Sequence, residues 1–194
     1  PYVFSISTKN VKPIKTLDKK LNEMQIKYGC LMLKINFPGW NKFVNDYIKD
    51  KDLYDNTAHE FGREYEPHIT ILYGFHDNVN VEKIKEIVQS LKNEITATTD
   101  KISIFSTKQY DVIKFDLKSP ILVKLNTIMK KNFDFTSNFP NYNPHMTIGY
   151  VKPGLGKKYI KNLNKIITLT SGTFIYSYPD GEGEEFSIKK MNYL

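Results

Sequence analysis

The sequence predicts an α+β protein in which helices cover the outer faces of largely antiparallel sheets. Two observations carry this prediction. The order strand–helix–strand occurs twice along the chain, and hairpin patterns are added to the second half. With 194 residues, 40% of them apolar, the chain suits a single domain spanning residues 1–194.

The first half contains two predicted strands and two predicted helices. Alternating apolar residues mark the strands, and apolar residues at helical spacing mark the helices. A polar segment between the first helix and the second strand is predicted to be a loop, which we expect to cover a site. In chain order, the predicted elements are a strand from Tyr28 to Phe37, a helix from Asn41 to Lys49, a loop from Asp50 to Glu66, a strand from Pro67 to Phe75 and a helix capped by Asn80.

The second half begins with a hairpin pattern and ends with another. Between them, Ser119-Pro120 opens a helix, because proline is favoured in the first helical turn. In chain order, the predicted elements are strands from Lys101 to Thr107 and Tyr110 to Leu117, the Ser119-Pro120 helix, a polar loop from Asn132 to Asn143, a strand from His145 to Val151, a short helix in 155–164, and a hairpin of Ile166 to Tyr178 with Glu185 to Lys190, turned at Pro179-Asp180-Gly181.

Composition narrows the class of function. No apolar run reaches the roughly 20 residues that a membrane helix needs, and the single cysteine, Cys30, is expected to be a buried small side chain. The net charge of +7 favours anionic partners, although a nucleic-acid platform with interleaved lysines and aromatic residues is not evident. We therefore expect a cytoplasmic protein with no membrane segment and no stable protein partner.

One short segment occurs twice, and each copy opens a predicted strand. The copies are Pro67-His68-Ile69-Thr70-Ile71 and Pro144-His145-Met146-Thr147-Ile148. Because a strand has a period of two, the histidine and threonine of each copy face the same side. Two such strands lying together would line one cleft with two imidazoles and two hydroxyls.

This set of side chains suits phosphodiester chemistry. A neutral histidine can take a proton from an attacking hydroxyl, and a protonated one can give a proton to the leaving oxygen. Threonine hydroxyls can donate to the non-bridging phosphate oxygens. The sequence shows no cluster at metal-ligand spacing, so we expect neither a metal nor another cofactor. His59 and His76 lack the pattern and are predicted to be loop residues.

At these residues the chain resembles the two-histidine phosphoesterase superfamily, whose hallmark is a pair of His-x-Thr/Ser motifs. The resemblance covers about Tyr28 to Lys190. It implies two pseudo-symmetric lobes of mainly antiparallel sheet, with outer helices, around a central cleft. Residue by residue, it assigns four residues to the active site: His68, Thr70, His145 and Thr147.

Flanking segments are also similar to phage anti-CBASS phosphodiesterases, which destroy the cyclic di- and trinucleotide signals of bacterial defence. That resemblance implies cleavage of 3′–5′ bonds in molecules such as 3′,3′-cyclic GMP-AMP. The loop before His68 and the segment Gly154 to Lys165 are longer than is typical of that subgroup. The matching segments are Tyr28-Gly29-Cys30-Leu31-Met32, Gly62-Arg63-Glu64, Glu66-Pro67-His68-Ile69-Thr70, Tyr73-Gly74 and Pro179-Asp180-Gly181-Glu182.

Six further residues are candidates for contacting the substrate. The resemblance points to Tyr28, and to Glu184 or Glu185 without deciding between them. Side-chain chemistry adds an arginine that would grip phosphate and aromatic rings that would stack on a base. A salt bridge to Glu64 or Glu66 for the arginine, and core or loop packing for the rings, are the more ordinary roles of such side chains. These chemical candidates are Arg63, Trp40 and Tyr142.

Three hypotheses follow. The first is an enzyme that opens cyclic oligonucleotides by attack of a ribose 2′-hydroxyl on the adjacent phosphate. The second is a two-histidine enzyme acting on RNA ends or 2′,3′-cyclic phosphates. The third is a protein that sequesters cyclic nucleotides without cutting them, although binding alone does not require two acid–base groups.

Overall fold

The structure is a computed structural model that describes residues 28–54, 61–137, 139 and 141–188. The prediction for His59 lies outside these residues. Within them the chain forms nine strands and three α-helices. The strands are β1 (Gly29–Lys34), β2 (His68–Phe75), β3 (Ile95–Ser106), β4 (Asp111–Lys118), β5 (His145–Val151), β6 (Lys161–Asn162), β7 (Thr168–Ser171), β8 (Thr173–Ser177) and β9 (Gly183–Ser187), and the helices are α1 (Trp40–Tyr47), α2 (Val81–Gln89) and α3 (Pro120–Asn132).

The strands form two antiparallel sheets. Sheet A has the order β2-β1-β8-β9, and sheet B has the order β5-β4-β3-β6, with β7 also pairing with β3. The two strands that carry the repeated motif, β2 and β5, each occupy one edge of a sheet, and these two edges lie against each other. The α+β architecture of two antiparallel lobes with outer helices is therefore confirmed.

Each motif strand is hydrogen-bonded to the other half of the chain. On β2, the Asn126 side chain of α3 donates to the Ile71 carbonyl at 2.7 Å. On β5, the Ile148 carbonyl accepts from the Glu64 amide at 3.0 Å, and the Tyr150 amide donates to Gly62 at 2.6 Å. The segment just before His68, predicted to be part of a loop, thus lies along β5.

Local sequence explains where two of the helices begin. The Asn80 side chain accepts a hydrogen bond from the Lys83 amide at 3.2 Å, so the predicted cap of α2 is confirmed. Pro120 stands at the start of α3, as predicted. Ser119, however, donates its hydroxyl to the Thr96 carbonyl at 2.7 Å and does not cap the helix.

The final hairpin prediction is wrong in one respect. The run Ile166 to Tyr178 is not one strand, because it divides at Gly172 into β7, which pairs with β3, and β8, which pairs with β1. The chain therefore crosses from sheet B to sheet A at this glycine. The turn at Pro179-Asp180-Gly181 does connect β8 to β9, as predicted.

The short helix predicted in 155–164 is confirmed only for its first residues. The chain forms a 3-10 turn at Gly156–Tyr159 followed by the two-residue strand β6. The turn is held by Asp111, whose carboxylate accepts from the Gly156 amide at 2.8 Å, and by Tyr159, whose hydroxyl donates to Asp52 at 2.5 Å. These tertiary hydrogen bonds outweigh the weak helical pattern.

Candidate active site

The alternation of the two motifs places their polar residues on one side of each strand. His68 and Thr70 are partly exposed, whereas Ile69 between them is fully buried. His145 and Thr147 are likewise partly exposed around the buried Met146. We call the side of each sheet that carries its histidine the motif face.

The two imidazoles make the same local hydrogen bond. Nδ1 of His68 lies 2.8 Å from the Glu66 carbonyl oxygen, and Nδ1 of His145 lies 2.9 Å from that of Asn143. A carbonyl oxygen only accepts, so Nδ1 carries the hydrogen in both rings. In the neutral ring, Nε2 is then the basic nitrogen, and in the charged ring it holds the proton that can be donated.

The environment of His145 favours the neutral imidazole. Burial is the largest cause, and it holds the pKa of His145 below its ordinary value of 6.5. The bond to the Asn143 carbonyl and the charge of Asp116 raise this pKa, whereas the charges of Lys114 and His68 lower it. The two histidines therefore lie close enough for their charges to interact.

The motif face of sheet A combines one ion pair with apolar side chains. Lys34 stands opposite His68 in the β1–β2 register, and Met32 stands opposite Thr70. The Lys34 ammonium donates to Glu185 on β9 at 2.7 Å, and both side chains are about half exposed. Beside Thr70, Cys30 is partly exposed rather than fully buried as the sequence predicted, and desolvation raises the pKa of its thiol to about 12, which favours the protonated form.

The motif face of sheet B is charged. In the β4–β5 register, Asp116 stands opposite His145 and Lys114 opposite Thr147. The Lys114 ammonium donates to the Asp116 carboxylate and, at 2.9 Å, to the Ser103 hydroxyl, which donates to Asp116 at 2.8 Å. None of these three residues stood out in the sequence, because only the strand register brings them beside the motif.

The two candidate glutamates lie on opposite sides of β9. Glu185 pairs with Lys34 on the motif face. Glu184 instead accepts from Lys85 of α2 at 2.5 Å and from the Tyr178 hydroxyl at 3.0 Å. Of the two, the structure brings only Glu185 to the face that carries His68.

Tyr28 is placed at the far end of sheet A. The next residue, Gly29, pairs with Phe75, whereas the opposite end of β1 pairs with His68. The separation along β2 is seven residues, or about 23 Å at the usual rise of a strand. The Tyr28 ring contacts Tyr73 and His76 instead, and so the structure does not bring it to the two motifs.

Trp40 and Arg63 are used for packing. Trp40 is only 3% exposed, and its indole N–H donates to the Glu64 carbonyl at 2.7 Å, so neither ring face is open for stacking on a base. Arg63 donates to the carbonyls of Val44 and Ile48 at the end of α1 and forms an ion pair with Asp50. The guanidinium, a candidate for phosphate binding or for a salt bridge, thus makes a salt bridge, but its partner is Asp50 and not a neighbouring glutamate.

Tyr142 connects the two motif strands. Its ring is partly buried against the core, and its hydroxyl donates to the Thr70 carbonyl at 2.9 Å. Burial raises the pKa of this hydroxyl, so it remains a donor. Tyr142 thus contacts a motif residue through the backbone, which fits loop packing better than stacking on a base. His76, predicted to be a loop residue, directly follows β2 and lies 3.0 Å from the Thr136 hydroxyl.

Two features are absent from the described residues. They contain no group of three or more His, Cys, Asp or Glu side chains arranged to hold a metal ion. No helix among them is long and apolar enough to cross a membrane.

Comparison with known proteins yields structural neighbours only. No protein-family model matches the chain, and no curated protein matches it. Among solved structures, it is similar to TT0787 of Thermus thermophilus, at 11% identity and a TM-score of 0.50, covering 84% of this chain and 100% of that one. It is similar to E. coli LigT complexed with 3′-AMP, at 15% identity and a TM-score of 0.50, covering 84% and 97% respectively.

These similarities establish the fold. The chain has the two-lobed fold of the LigT-like two-histidine phosphoesterases. At identities this low, the similarity shows the fold alone.

Proposed function

We propose that this chain is a phosphodiesterase that uses His68 and His145 as an acid–base pair and needs no metal ion. One observation carries the proposal. Both imidazoles project from adjoining edge strands, and each has its Nδ1 bound to a backbone carbonyl, so that Nε2 is left for proton transfer. Two such groups supply both proton transfers that a phosphodiester cleavage requires.

The reaction proceeds by internal attack. Nε2 of one neutral histidine takes the proton of a ribose 2′-hydroxyl, and the oxygen attacks the adjacent phosphorus. The other, protonated histidine donates to the departing 5′-oxygen, and a 2′,3′-cyclic phosphate forms. Thr70 and Thr147 donate their hydroxyls to the non-bridging oxygens. Water then opens the cyclic phosphate to a 3′-phosphate, with the histidines exchanging roles.

We assign cyclic di- and trinucleotides such as 3′,3′-cyclic GMP-AMP as the substrates. The resemblance of the flanking sequence segments to anti-CBASS phosphodiesterases supports this assignment, and with it a phage protein acting in the bacterial cytoplasm against that defence. The lysines on both motif faces, Lys34 and Lys114, suit a ligand with more than one phosphate. Glu185 suits an acceptor for a base amine.

A second candidate substrate class is RNA ends and 2′,3′-cyclic phosphates. It is favoured by the structural neighbour E. coli LigT, which was crystallised with 3′-AMP. The acid–base chemistry is the same for both substrate classes. The two classes therefore differ only in which ligand fits between the two sheets.

The test is a digest in excess EDTA of 3′,3′-cyclic GMP-AMP and, separately, of an RNA oligomer ending in a 2′,3′-cyclic phosphate, with products read by mass. We expect the dinucleotide to be opened without metal. His68→Ala and His145→Ala should each lose about 10²- to 10⁴-fold in rate.

His76→Ala is the matched control, because His76 follows the far end of β2. Its rate should equal that of the wild type. Cleavage of RNA ends alone would move the substrate to the second class, and dependence of cleavage on added metal would contradict the mechanism. Intact ligand recovered after denaturing a complex would favour sequestration.

The internal attack makes a separate prediction. A substrate with 2′-deoxyribose at the attacking position has no nucleophile, so cleavage should fall to background while binding persists. The measurement compares the deoxy and ribo forms of the same cyclic dinucleotide. Normal cleavage of the deoxy form would show that water, and not the 2′-hydroxyl, attacks first.

A further inference from the structure

The two motif faces differ in charge at equivalent places. Opposite the motif threonine, sheet A carries Met32 and sheet B carries Lys114. Around Met32 the apolar neighbours on the same face are Cys30 and Ile175, which are partly exposed, and the lysine of this face, Lys34, stands opposite His68. The phosphate of a substrate that spans both faces therefore meets a lysine directly opposite Thr147 on sheet B, whereas the residue opposite Thr70 on sheet A is uncharged.

Lys114 is held in place by its neighbours. Its ammonium donates to Ser103 at 2.9 Å and forms an ion pair with Asp116, and the lysine side chain is 16% exposed. An ammonium has three N–H donors, and within the described residues two of them have these partners. The third donor remains for a ligand, at a site where partial burial weakens screening by water.

Lys34 on sheet A is a weaker candidate for binding the substrate phosphate. It is 54% exposed, and its partner Glu185 is 53% exposed. A long, solvated side chain loses conformational entropy when it binds a ligand, whereas a side chain already fixed by two hydrogen bonds loses little. The fixed lysine on sheet B is thus the better preorganised donor.

We propose that Lys114 binds a non-bridging oxygen of the scissile phosphate beside Thr147, with Ser103 and Asp116 as positioning residues that hold its ammonium. This assignment rests on the proposed phosphodiesterase function. Asp116 also offsets part of the lysine charge, so Lys114 acts through a directed N–H donor more than through net charge.

The experiment measures kcat and KM for 3′,3′-cyclic GMP-AMP and for the RNA oligomer with a 2′,3′-cyclic end, together with calorimetric binding of 3′-AMP. Lys114→Met should raise KM and weaken 3′-AMP binding by about 10- to 100-fold, the usual effect of losing one hydrogen bond to a charged group. Lys114→Arg should recover part of this loss, because arginine retains the charge and donors.

Lys42→Met is the matched control. Lys42 on α1 is also ion-paired, to Asp46, and its loss removes the same charge from an exposed helix surface. KM and 3′-AMP binding should stay at wild-type values, which separates a local contact from the net charge of the protein.

A double variant separates binding from folding. Lys114→Met alone leaves the Asp116 carboxylate without its ion-pair partner. Combining it with Asp116→Asn removes the carboxylate charge as well. If Lys114 contacts the phosphate, the double variant keeps the raised KM. If the lysine serves only to neutralise Asp116, the double variant recovers the wild-type KM, and the proposal is overturned.

The outcomes also separate the two proposals. A wild-type protein that cleaves one of these substrates, with a Lys114→Met variant of unchanged KM, overturns the lysine assignment alone. A wild-type protein that neither cleaves these substrates nor binds 3′-AMP overturns the proposed function, and the assignment with it.

Discussion

At the scale of single residues, the two histidines make the same kind of hydrogen bond but lie in different environments. Both Nδ1 atoms bind the carbonyl of the residue two positions earlier. His145 also lies opposite Asp116 and close to Lys114, and its pKa is held low mainly by burial. We infer that neutral His145 serves as the base, because its lowered pKa favours the neutral ring.

This inference predicts the acid limb of the pH–rate profile. If a neutral His145 is required, kcat/KM should fall only below pH 6.5, because the pKa of this imidazole is lowered. Lys114→Met removes a charge that lowers this pKa and should move the limb to higher pH. Asp116→Asn removes a charge that raises it and should move the limb to lower pH. The measurement is kcat/KM across about pH 4.5–8, spanning the ordinary histidine range, and opposite shifts would contradict the assignment.

The same pKa has a consequence for stability. The folded protein disfavours charged His145, so the unfolded chain binds more protons below pH 6.5. The free energy of unfolding should therefore fall as pH decreases from 6.5 through the lowered pKa, and this contribution should then level off. Urea denaturation of wild type and His145→Gln across this range checks it, since the variant should lack that component.

The adjacent glutamates allow a paired prediction. Glu185→Gln should raise KM, because Glu185 lies on the motif face and orients Lys34. Glu184→Gln should leave KM unchanged, because its partners are Lys85 and Tyr178 on the other side of β9. Steady-state kinetics on both variants checks this, and an effect confined to Glu184→Gln would reverse the assignment.

At the scale of elements, Arg63 supports helix α1. It donates to the Ile48 carbonyl just past the helix end, which lies beyond the helical hydrogen-bond ladder, and to the Val44 carbonyl, which also accepts from the Ile48 amide. Arg63→Met should lower the free energy of unfolding by about 2 kcal/mol, typical of hydrogen bonds from a charged donor. Urea denaturation measures this loss, and KM for 3′,3′-cyclic GMP-AMP should be unchanged. A raised KM with unchanged stability would instead indicate a contact with the ligand.

The sequence was sufficient to predict the strands and helices that have a strong local pattern. The motif strands β2 and β5 follow from period-two alternation, and α2 and α3 from apolar spacing with Asn80 and Pro120 at their starts. Gly172 was missed because the two strands it separates are each short and of the same polarity pattern. Only their pairing with different sheets distinguishes them.

The residues of the candidate site also fall into two groups, those that the sequence alone predicts and those that only the structure places. The four motif residues could be selected from the chain, because their spacing alone puts them on one face of a strand. Lys114 and Glu185 could be placed only by register, since Lys34 and Glu185 lie 151 positions apart in sequence. Trp40 and Arg63 have side chains that also suit a ligand, and no local signal showed that packing and a helix end already use them.

At the scale of the whole molecule, the two lobes are joined at the motif strands themselves. Residues of the second half, Tyr142 and Asn126, donate to β2, and the backbone around Gly62 exchanges hydrogen bonds with β5. Gly149 permits this close approach, because a Cβ there would lie 2.7 Å from the Gly62 carbonyl oxygen. The separation of the two histidines is thus fixed by reciprocal contacts between halves of the chain.

Tyr142→Phe tests this coupling directly. The hydroxyl ties the loop before His145 to the Thr70 carbonyl of the other motif, at 2.9 Å. Its loss should cost about 1 kcal/mol of unfolding free energy and, by loosening the placement of one histidine against the other, lower kcat about tenfold with little change in KM.

Tyr65→Phe is the matched control. That tyrosine is exposed, and its hydroxyl donates at 2.9 Å to Asn45 on helix α1, which is not a motif strand. It should keep the wild-type kcat. If Tyr142→Phe lowers stability but retains kcat, the motifs are aligned by the backbone contacts of β5 and by the Asn126 side chain of α3. If kcat falls while KM holds, the bond between the halves sets the catalytic geometry, because the two proton transfers depend on both imidazoles reaching one phosphate.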